Sequence, residues 1–187
     1  KDELRENFMF LSEDSYNSIK IEQKTKWKAY SDGRVNVIVD SVDKNLENKN
    51  ISERLVQICD NKNLKKVFEN KLNNLKLSKS NAEYYQKRYC NTFEVLKRFI
   101  HNNEIKSFLC LNMALPKKDD AHFDLGLISE FIEYYCKIHK LEAPEIQVLT
   151  SEDFDHQKDS LLKDLSSGKK VFVFSAYKTI GAGQNLQ

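Results

Sequence analysis

The chain has 187 residues, of which 40% are hydrophobic and 31% are charged, and its 30 basic and 28 acidic residues leave a formal net charge of +2 at pH 7. No apolar stretch approaches the about 20 residues that a membrane-spanning helix needs. The first residues, KDELRENFMF, are charged, so we expect no signal peptide. The length suffices for one substantial hydrophobic core, or for one domain with an appendage. Because the net charge is close to zero, any basic site for nucleic acid would have to be a local patch.

The cysteines and histidines indicate neither a disulfide framework nor a metal site. The four cysteines lie far apart and form no CxxC pair, which is typical of free thiols in a reducing compartment. The four histidines show neither an HExxH motif nor another paired ligand spacing. We therefore expect a cytoplasmic protein that makes no contact with a membrane and holds no metal.

The first part of the chain, residues 1–103, has the pattern of a mostly helical region. Glycine and proline, which interrupt helices, are scarce there. Asp32 and Gly33 are typical of a tight turn, and the sequence VNVIV at residues 35–39 predicts a short strand. We therefore expect a strand or a small β hairpin near residues 30–40.

Helical periodicity begins at residue 51. Apolar residues recur on two successive faces over residues 51–77, and a third helix follows Ser80, so that segments 51–77 and 80–101 are expected to pair as an antiparallel hairpin. Five tyrosines at helical spacing are expected in the core, namely Tyr84, Tyr85, Tyr89, Tyr134 and Tyr135. Lysines between residues 62 and 79 form a basic face, which either contacts solvent or follows a nucleic-acid backbone.

The second part of the chain, residues 104–187, alternates strands with helices. Residues 107–114 form a continuous apolar run, as expected of a strand that is buried on both faces. Further strands are predicted at residues 145–149 and 170–175. This order at this spacing predicts an α/β fold with a parallel sheet and right-handed crossovers.

Two helices are predicted between these strands. Asp124 can cap the first helix, and Thr150 or Ser151 can cap the second. Gly168 is a typical residue to end the second helix.

The loop after the third strand, residues 176–187, lies where parallel sheets commonly bind their ligands. Gly181 and Gly183 permit a close approach of the backbone, and Lys178 and Thr179 add a charge and a hydroxyl. By itself this composition fits either a plain turn or a phosphate-binding loop. The loop contains no GxxxxGK[ST] motif and lacks the third glycine of a GxGxxG fingerprint, which excludes these two nucleotide-binding loops.

The sequence FSAYKTIGAGQNLQ resembles motif V of superfamily-two helicases and translocases, which lies in their second RecA-like domain. The G-x-G-x-N-L-Q form is similar to that of chromatin-remodelling and restriction-type translocases. The motif covers residues 175–187, and the preceding order of strands and helices from residue 104 resembles the family's layout. The resemblance thus implies a partial second RecA-like domain over residues 104–187.

The resemblance implies two sets of site residues. The nucleic-acid-binding set comprises Tyr177, Lys178, Thr179 and Gly181. The set that couples this contact to ATP comprises Gly183, Asn185 and Gln187. Tyr177 stands where relatives usually have Thr, so Thr179 is expected to supply the hydroxyl for the backbone contact.

The function implied by this resemblance is that of a fragment of an ATP-dependent helicase or translocase, as in restriction or phage defence. ATP and Mg²⁺ would serve the parent protein, because the phosphate-binding and acidic motifs belong to the first RecA-like domain and an arginine-bearing motif follows motif V. The fragment alone is expected to hold neither and to be inactive. Its expected partners are a DNA or RNA backbone and the first RecA-like domain. The alternative is a non-enzymatic helical interaction module with a degenerate α/β domain.

Overall fold

The fold is described from a computed structural model, which defines residues 49–112, 114–176 and 179. These residues belong to one of the two compact units of the chain, Ser41–Gln187. The strand or hairpin that we predict near residues 30–40 lies outside the described residues and stays a prediction.

Three helices form the first half of the described chain, as expected, namely α1 (Ile51–Cys59), α2 (Lys62–Asn73) and α3 (Lys79–His101). Asn50 begins α1 with a capping box, in which its side chain accepts a hydrogen bond from the N–H of Glu53 and the Glu53 carboxylate accepts one from the N–H of Asn50. After α1 the backbone turns at Asp60, which has a left-handed φ of 50°, and the side chain of Asn61 then caps α2. These adjacent polar residues separate two helices whose apolar faces both pack towards α3.

The sheet has three parallel strands, which confirms the α/β class with a partial parallel sheet. They are β1 (Ser107–Asn112), β2 (Glu145–Leu149) and β3 (Val171–Ala176). The spatial order is β1-β3-β2, so β3 pairs with both of the others. In the register Asn112 lies beside Ala176, and Leu149 lies beside Ser175. The three strands therefore end at one edge of the sheet.

Two helices connect the strands, namely α4 (Leu125–His139) and α5 (Phe154–Ser166). The predicted cap of α4 is confirmed, because the Asp124 carboxylate accepts hydrogen bonds from the N–H groups of Gly126 and Leu127. The predicted cap of α5 is wrong, since this helix begins after Asp153, which makes no side-chain cap bond. The N–H of Thr150 instead donates to the side chain of Gln157, inside the helix. Gly168, with a φ of +83°, follows the end of α5 as expected.

The two faces of the sheet are covered by different helices. On one face, here called the aromatic face, β1 and β3 contribute Phe108, Phe172 and Phe174 to a core cluster that also includes buried residues of α1–α4. On the other face, here called the α5 face, Val171 and Val173 pack in a separate cluster with Leu149 of β2 and with residues of α5. Alternate residues of β3 thus enter two different clusters, as the geometry of a strand requires.

The prediction that the first strand is buried on both faces is wrong. Leu109 and Leu111 of β1 are 41% and 37% exposed on the α5 face. The reason is the strand order, because β1 lies at one edge of the described sheet and α5 packs mainly on β2 and β3. A continuous apolar run therefore forms an edge strand here.

Core side chains pack across the boundary that we predict between residues 103 and 104. The ring of Phe99 in α3 lies 5.7 Å from that of Phe172 and 5.9 Å from that of Phe108. Of the five tyrosines expected in the core, Tyr89 and Tyr135 are fully buried. Tyr84 and Tyr134 are exposed, which corrects the expectation, and Tyr85 is half-buried.

Candidate functional site

A cleft of about 440 Å³ lies at the carboxyl edge of the sheet. Thr150 and Ser151 come from the end of β2, and Ala176 comes from the end of β3. The remaining walls are formed by the loop of residues 114–123 and by one face of α3. The cleft therefore opens where parallel sheets usually bind their ligands.

Thr179 is the member of the predicted nucleic-acid-binding set that the structure describes. It is 4% exposed and lines the same cleft. The other predicted residues lie outside the described residues and stay predictions, namely Tyr177, Lys178, Gly181, Gly183, Asn185 and Gln187.

The side chain of Arg88 is held firmly at one wall of the cleft. Its guanidinium lies 4.1 Å from the ring centroid of Phe123 and donates a hydrogen bond to the carbonyl oxygen of Ala114. No carboxylate of the described residues forms an ion pair with it. A guanidinium has several N–H donors in a fixed plane, so Arg88 can still bind an anion in the cleft.

The loop that faces Arg88 is fixed by hydrogen bonds. The N–H of Lys117 donates to the carbonyl oxygen of Phe123, and the N–H of Asp124 donates to the hydroxyl of Tyr89 at 2.5 Å. Asp120 also lines the cleft, and its carboxylate accepts hydrogen bonds from the N–H groups of His122 and Phe123. These bonds hold the pKa of Asp120 below its ordinary value, so the carboxylate is charged at neutral pH. The two N–H donors stabilise the negative charge of Asp120. The exposed Lys117 adds a second cation to the cleft, in addition to that of Arg88.

The residues with hydroxyl groups at the strand ends differ in whether they line the cleft. Ser175, inside the resemblance to motif V, is fully buried and its hydroxyl donates to the carbonyl oxygen of Leu149 at 3.3 Å. Thr150 and Ser151 line the cleft instead. Thr179 and Arg88 line the same cleft, so three residues with hydroxyl groups and one cation share it, a composition that suits a phosphate group.

Arg88 and Lys117 were not predicted as site residues from the sequence. Arg88 lies three residues after Tyr85, so both project from one side of α3, and this spacing was the available signal. It could not be used, because only the tertiary structure brings this side of α3 to the ends of the strands.

The buried thiols do not add a reactive centre. Burial raises the pKa of Cys59 and of Cys90 to about 12, so both are protonated at neutral pH and are poor nucleophiles. Within the part of the chain that the structure describes, there is no group of three or more His, Cys, Asp or Glu side chains that could hold a metal ion. No helix in that part is both long enough and apolar enough to cross a lipid bilayer.

Comparison of the chain with models of protein families, with curated proteins and with solved structures found no match. The site must therefore be interpreted from its own residues and from the motif that its sequence resembles.

Proposed function

We propose that the chain is part of the second RecA-like domain of an ATP-dependent nucleic-acid helicase or translocase in the cytoplasm. In this proposal the cleft at the carboxyl edge of the sheet holds the sugar-phosphate backbone of DNA or RNA. The observation that carries the proposal is the position of Thr179. The resemblance to motif V assigns this residue to the nucleic acid, and it lines a cleft at the ends of the parallel strands.

The chemistry of the cleft supports a backbone contact. Arg88 and Lys117 can neutralise phosphates, and Thr150, Ser151 and Thr179 can donate hydrogen bonds to phosphate oxygens. Contacts of this kind do not depend on base sequence. A protein that moves along nucleic acid requires such contacts, because it must bind every sequence that it passes.

ATP and Mg²⁺ belong to the parent protein in this proposal. Phosphoryl transfer needs a phosphate cradle and metal-binding carboxylates, and the described residues contain no cluster suited to a metal ion. The first RecA-like domain would supply these groups. The predicted coupling residues would transmit the state of the nucleotide to the cleft, namely Gly183, Asn185 and Gln187.

The binding of nucleic acid tests the proposal directly. Fluorescence anisotropy with labelled single-stranded DNA and RNA should detect binding by the chain. Replacing Arg88 by Gln should weaken it about tenfold and reduce the dependence of log Kd on log salt by about one. Lys87→Gln is the matched control, because it removes one charge from the same helix at a residue that is paired with Glu83 at 2.9 Å and does not line the cleft. Equal effects of the two substitutions, or no binding at all, would contradict the proposal.

A second test concerns the loop of residues 176–187, which contains the predicted ATP-coupling residues. In a protein that joins this chain to its first RecA-like domain, Gly183→Asp should abolish ATP hydrolysis that is stimulated by nucleic acid, because a carboxylate would meet the phosphates there. ATP hydrolysis unchanged by this substitution would show that the loop does not couple the two sites.

One observation favours the alternative of a helical interaction module. A cavity of about 730 Å³ lies along α1 and α2, where Val56 is 58% exposed. Its rim carries three lysines and two carboxylates, and one of these lysines, Lys65, pairs with Glu69 at 2.6 Å. An exposed apolar side chain with a charged rim suits a peptide segment of a partner protein. The anisotropy measurement separates the two functions, because this module would not bind nucleic acid through Arg88.

A further inference from the structure

The cleft continues outwards along α3 into a row of aromatic side chains. The ring of Tyr85, which lines the cleft, lies 5.1 Å from that of His122. The ring of Tyr84 lies 5.0 Å from that of Tyr85, at an interplanar angle of 87°. Tyr84 is 59% exposed. An aromatic ring thus stands open to solvent directly beside the wall of the cleft.

Core packing accounts for the position of Tyr89 but not for that of Tyr84. Tyr89, five residues further along α3, is fully buried, and its hydroxyl accepts a hydrogen bond from the N–H of Asp124. Tyr84 makes its ring contact with Tyr85 alone among the described residues. Because Tyr85 meets it edge to face and is itself held against His122, the orientation of the Tyr84 ring is supported while much of its surface stays free.

We propose that the cleft takes single-stranded nucleic acid and that Tyr84 is the platform on which one of its bases stacks. This inference rests on the proposed function, since it places the backbone of the strand in the cleft beside Arg88. In a duplex the faces of the bases are covered by their neighbours, whereas a single strand can turn a base out onto an aromatic ring. Cationic side chains that bind the nucleic-acid backbone, next to an exposed aromatic ring, are therefore the combination that selects a single strand.

The test compares strands with and without bases. Anisotropy is measured on the 187-residue chain with a labelled single strand, with a strand of equal length made of abasic sites, and with a duplex. Tyr84→Ala should weaken binding of the normal strand at least about fivefold and should leave binding of the abasic strand unchanged, because stacking on an aromatic side chain is lost only where a base is present. Tyr84→Phe keeps the ring and should bind as the unchanged protein does. The duplex should bind less tightly than the single strand.

Tyr134→Ala is the matched control. This residue is 47% exposed and lies on α4, where its ring packs 6.4 Å from that of Phe68, away from the cleft. It should not affect binding of any strand. Thermal unfolding of the variants shows whether each is folded. If the alanine variant is not, Tyr84→Leu, which removes the ring but keeps an apolar side chain, should show the same loss with the normal strand only.

The outcomes separate this inference from the proposed function. Binding that depends on Arg88 but not on Tyr84, or an equal loss with normal and abasic strands, would overturn the stacking platform and leave the backbone cleft in place. Equal affinity for single strand and duplex would overturn the selection of single strands. No binding of any nucleic acid would overturn both proposals.

Discussion

The two faces of the sheet differ in how they are covered, although the same three strands form both. The aromatic face joins a cluster that extends through α1–α4 and includes stacked and edge-on rings, such as Phe172 over Phe108 at 5.0 Å. The α5 face is covered by one helix and leaves part of β1 exposed. We therefore expect the aromatic face to contribute most of the stability of the described unit. Substitutions on the α5 face should lower the free energy of unfolding by less.

The largest expected effect compares one Phe on each face. Phe172 is fully buried between the rings of Phe99, Phe108 and Phe174, and its replacement by Ala should lower the free energy of unfolding by about 5 kcal/mol. Phe154 begins α5 and is 4% exposed, and the same change there should cost about 3 kcal/mol, because the uncapped end of this helix can collapse into the space.

Denaturant unfolding measures both changes, and Phe172→Leu gives a milder substitution if Phe172→Ala does not fold. Equal losses at the two positions would show that the two faces do not differ in stability.

A buried ion pair behind the aromatic face should give the next largest effect. Arg54 is 1% exposed, and its Nη2 atom lies 2.6 Å from Oδ1 of Asn91 and 3.4 Å from Oε2 of Glu94. Glu94→Gln leaves this cation buried without a carboxylate, and should lower the free energy of unfolding by about 3 kcal/mol.

The control for this pair is Glu83→Gln on the same helix, where the exposed carboxylate pairs with Lys87. It should not change the denaturation midpoint measurably. A Glu94→Gln variant as stable as the unchanged protein would show that the negative charge of Glu94 is not needed to hold the buried guanidinium.

The pH dependence of stability should show a smaller effect at the edge of the aromatic cluster. The pKa of His101 is lowered from its ordinary value of 6.5 by burial first, and then by Lys97 and His139, with Lys170 acting in the same direction and Asp60 opposing. The folded state thus favours the neutral ring. This contribution to stability is fully present above the pKa of the unfolded state and is lost as the pH falls through the lower pKa of the folded state.

The midpoint of thermal unfolding should therefore decrease as the pH falls below the ordinary histidine pKa of 6.5. His101→Gln should reduce this decrease, since glutamine does not titrate and can still reach the hydroxyl of Tyr135, which lies 2.8 Å from His101 Nε2. An identical decrease in the variant would assign the pH dependence to other groups.

The smallest effect is expected on the uncovered part of the α5 face. Leu109→Thr should change the free energy of unfolding by about 0.5 kcal/mol or less, because the side chain is 41% exposed and threonine suits a strand. Phe108→Thr, at the next position and on the aromatic face, should cost clearly more, because the Phe108 ring stacks on Phe172. Denaturation midpoints of the two variants check this, and a large loss at Leu109 would indicate that a partner covers this surface.

Much of the fold could be predicted because its signals are local. Asp124 caps α4 as predicted, since a carboxylate two and three residues before free N–H groups accepts hydrogen bonds from them in almost any surroundings. The strand at Glu145–Leu149 was predicted from its own residues and the preceding proline. The start of α5 was not predicted correctly, because Thr150 and Ser151 are residue types that can either cap a helix or line a cleft. The choice between these roles depends on contacts with residues that are distant in the sequence.

The sequence by itself determined where most helices and strands lie, that the strands are parallel, and which loop resembles motif V. These depend on residues that are close in the chain. Only the tertiary structure decided that β3 inserts between β1 and β2, and this leaves Leu109 exposed in spite of its apolar neighbours. It also decided that Arg88 and Tyr84 of a helix before the sheet stand beside the cleft that Thr179 lines. The physical reason is that burial and proximity depend on contacts between distant segments, which local periodicity does not encode.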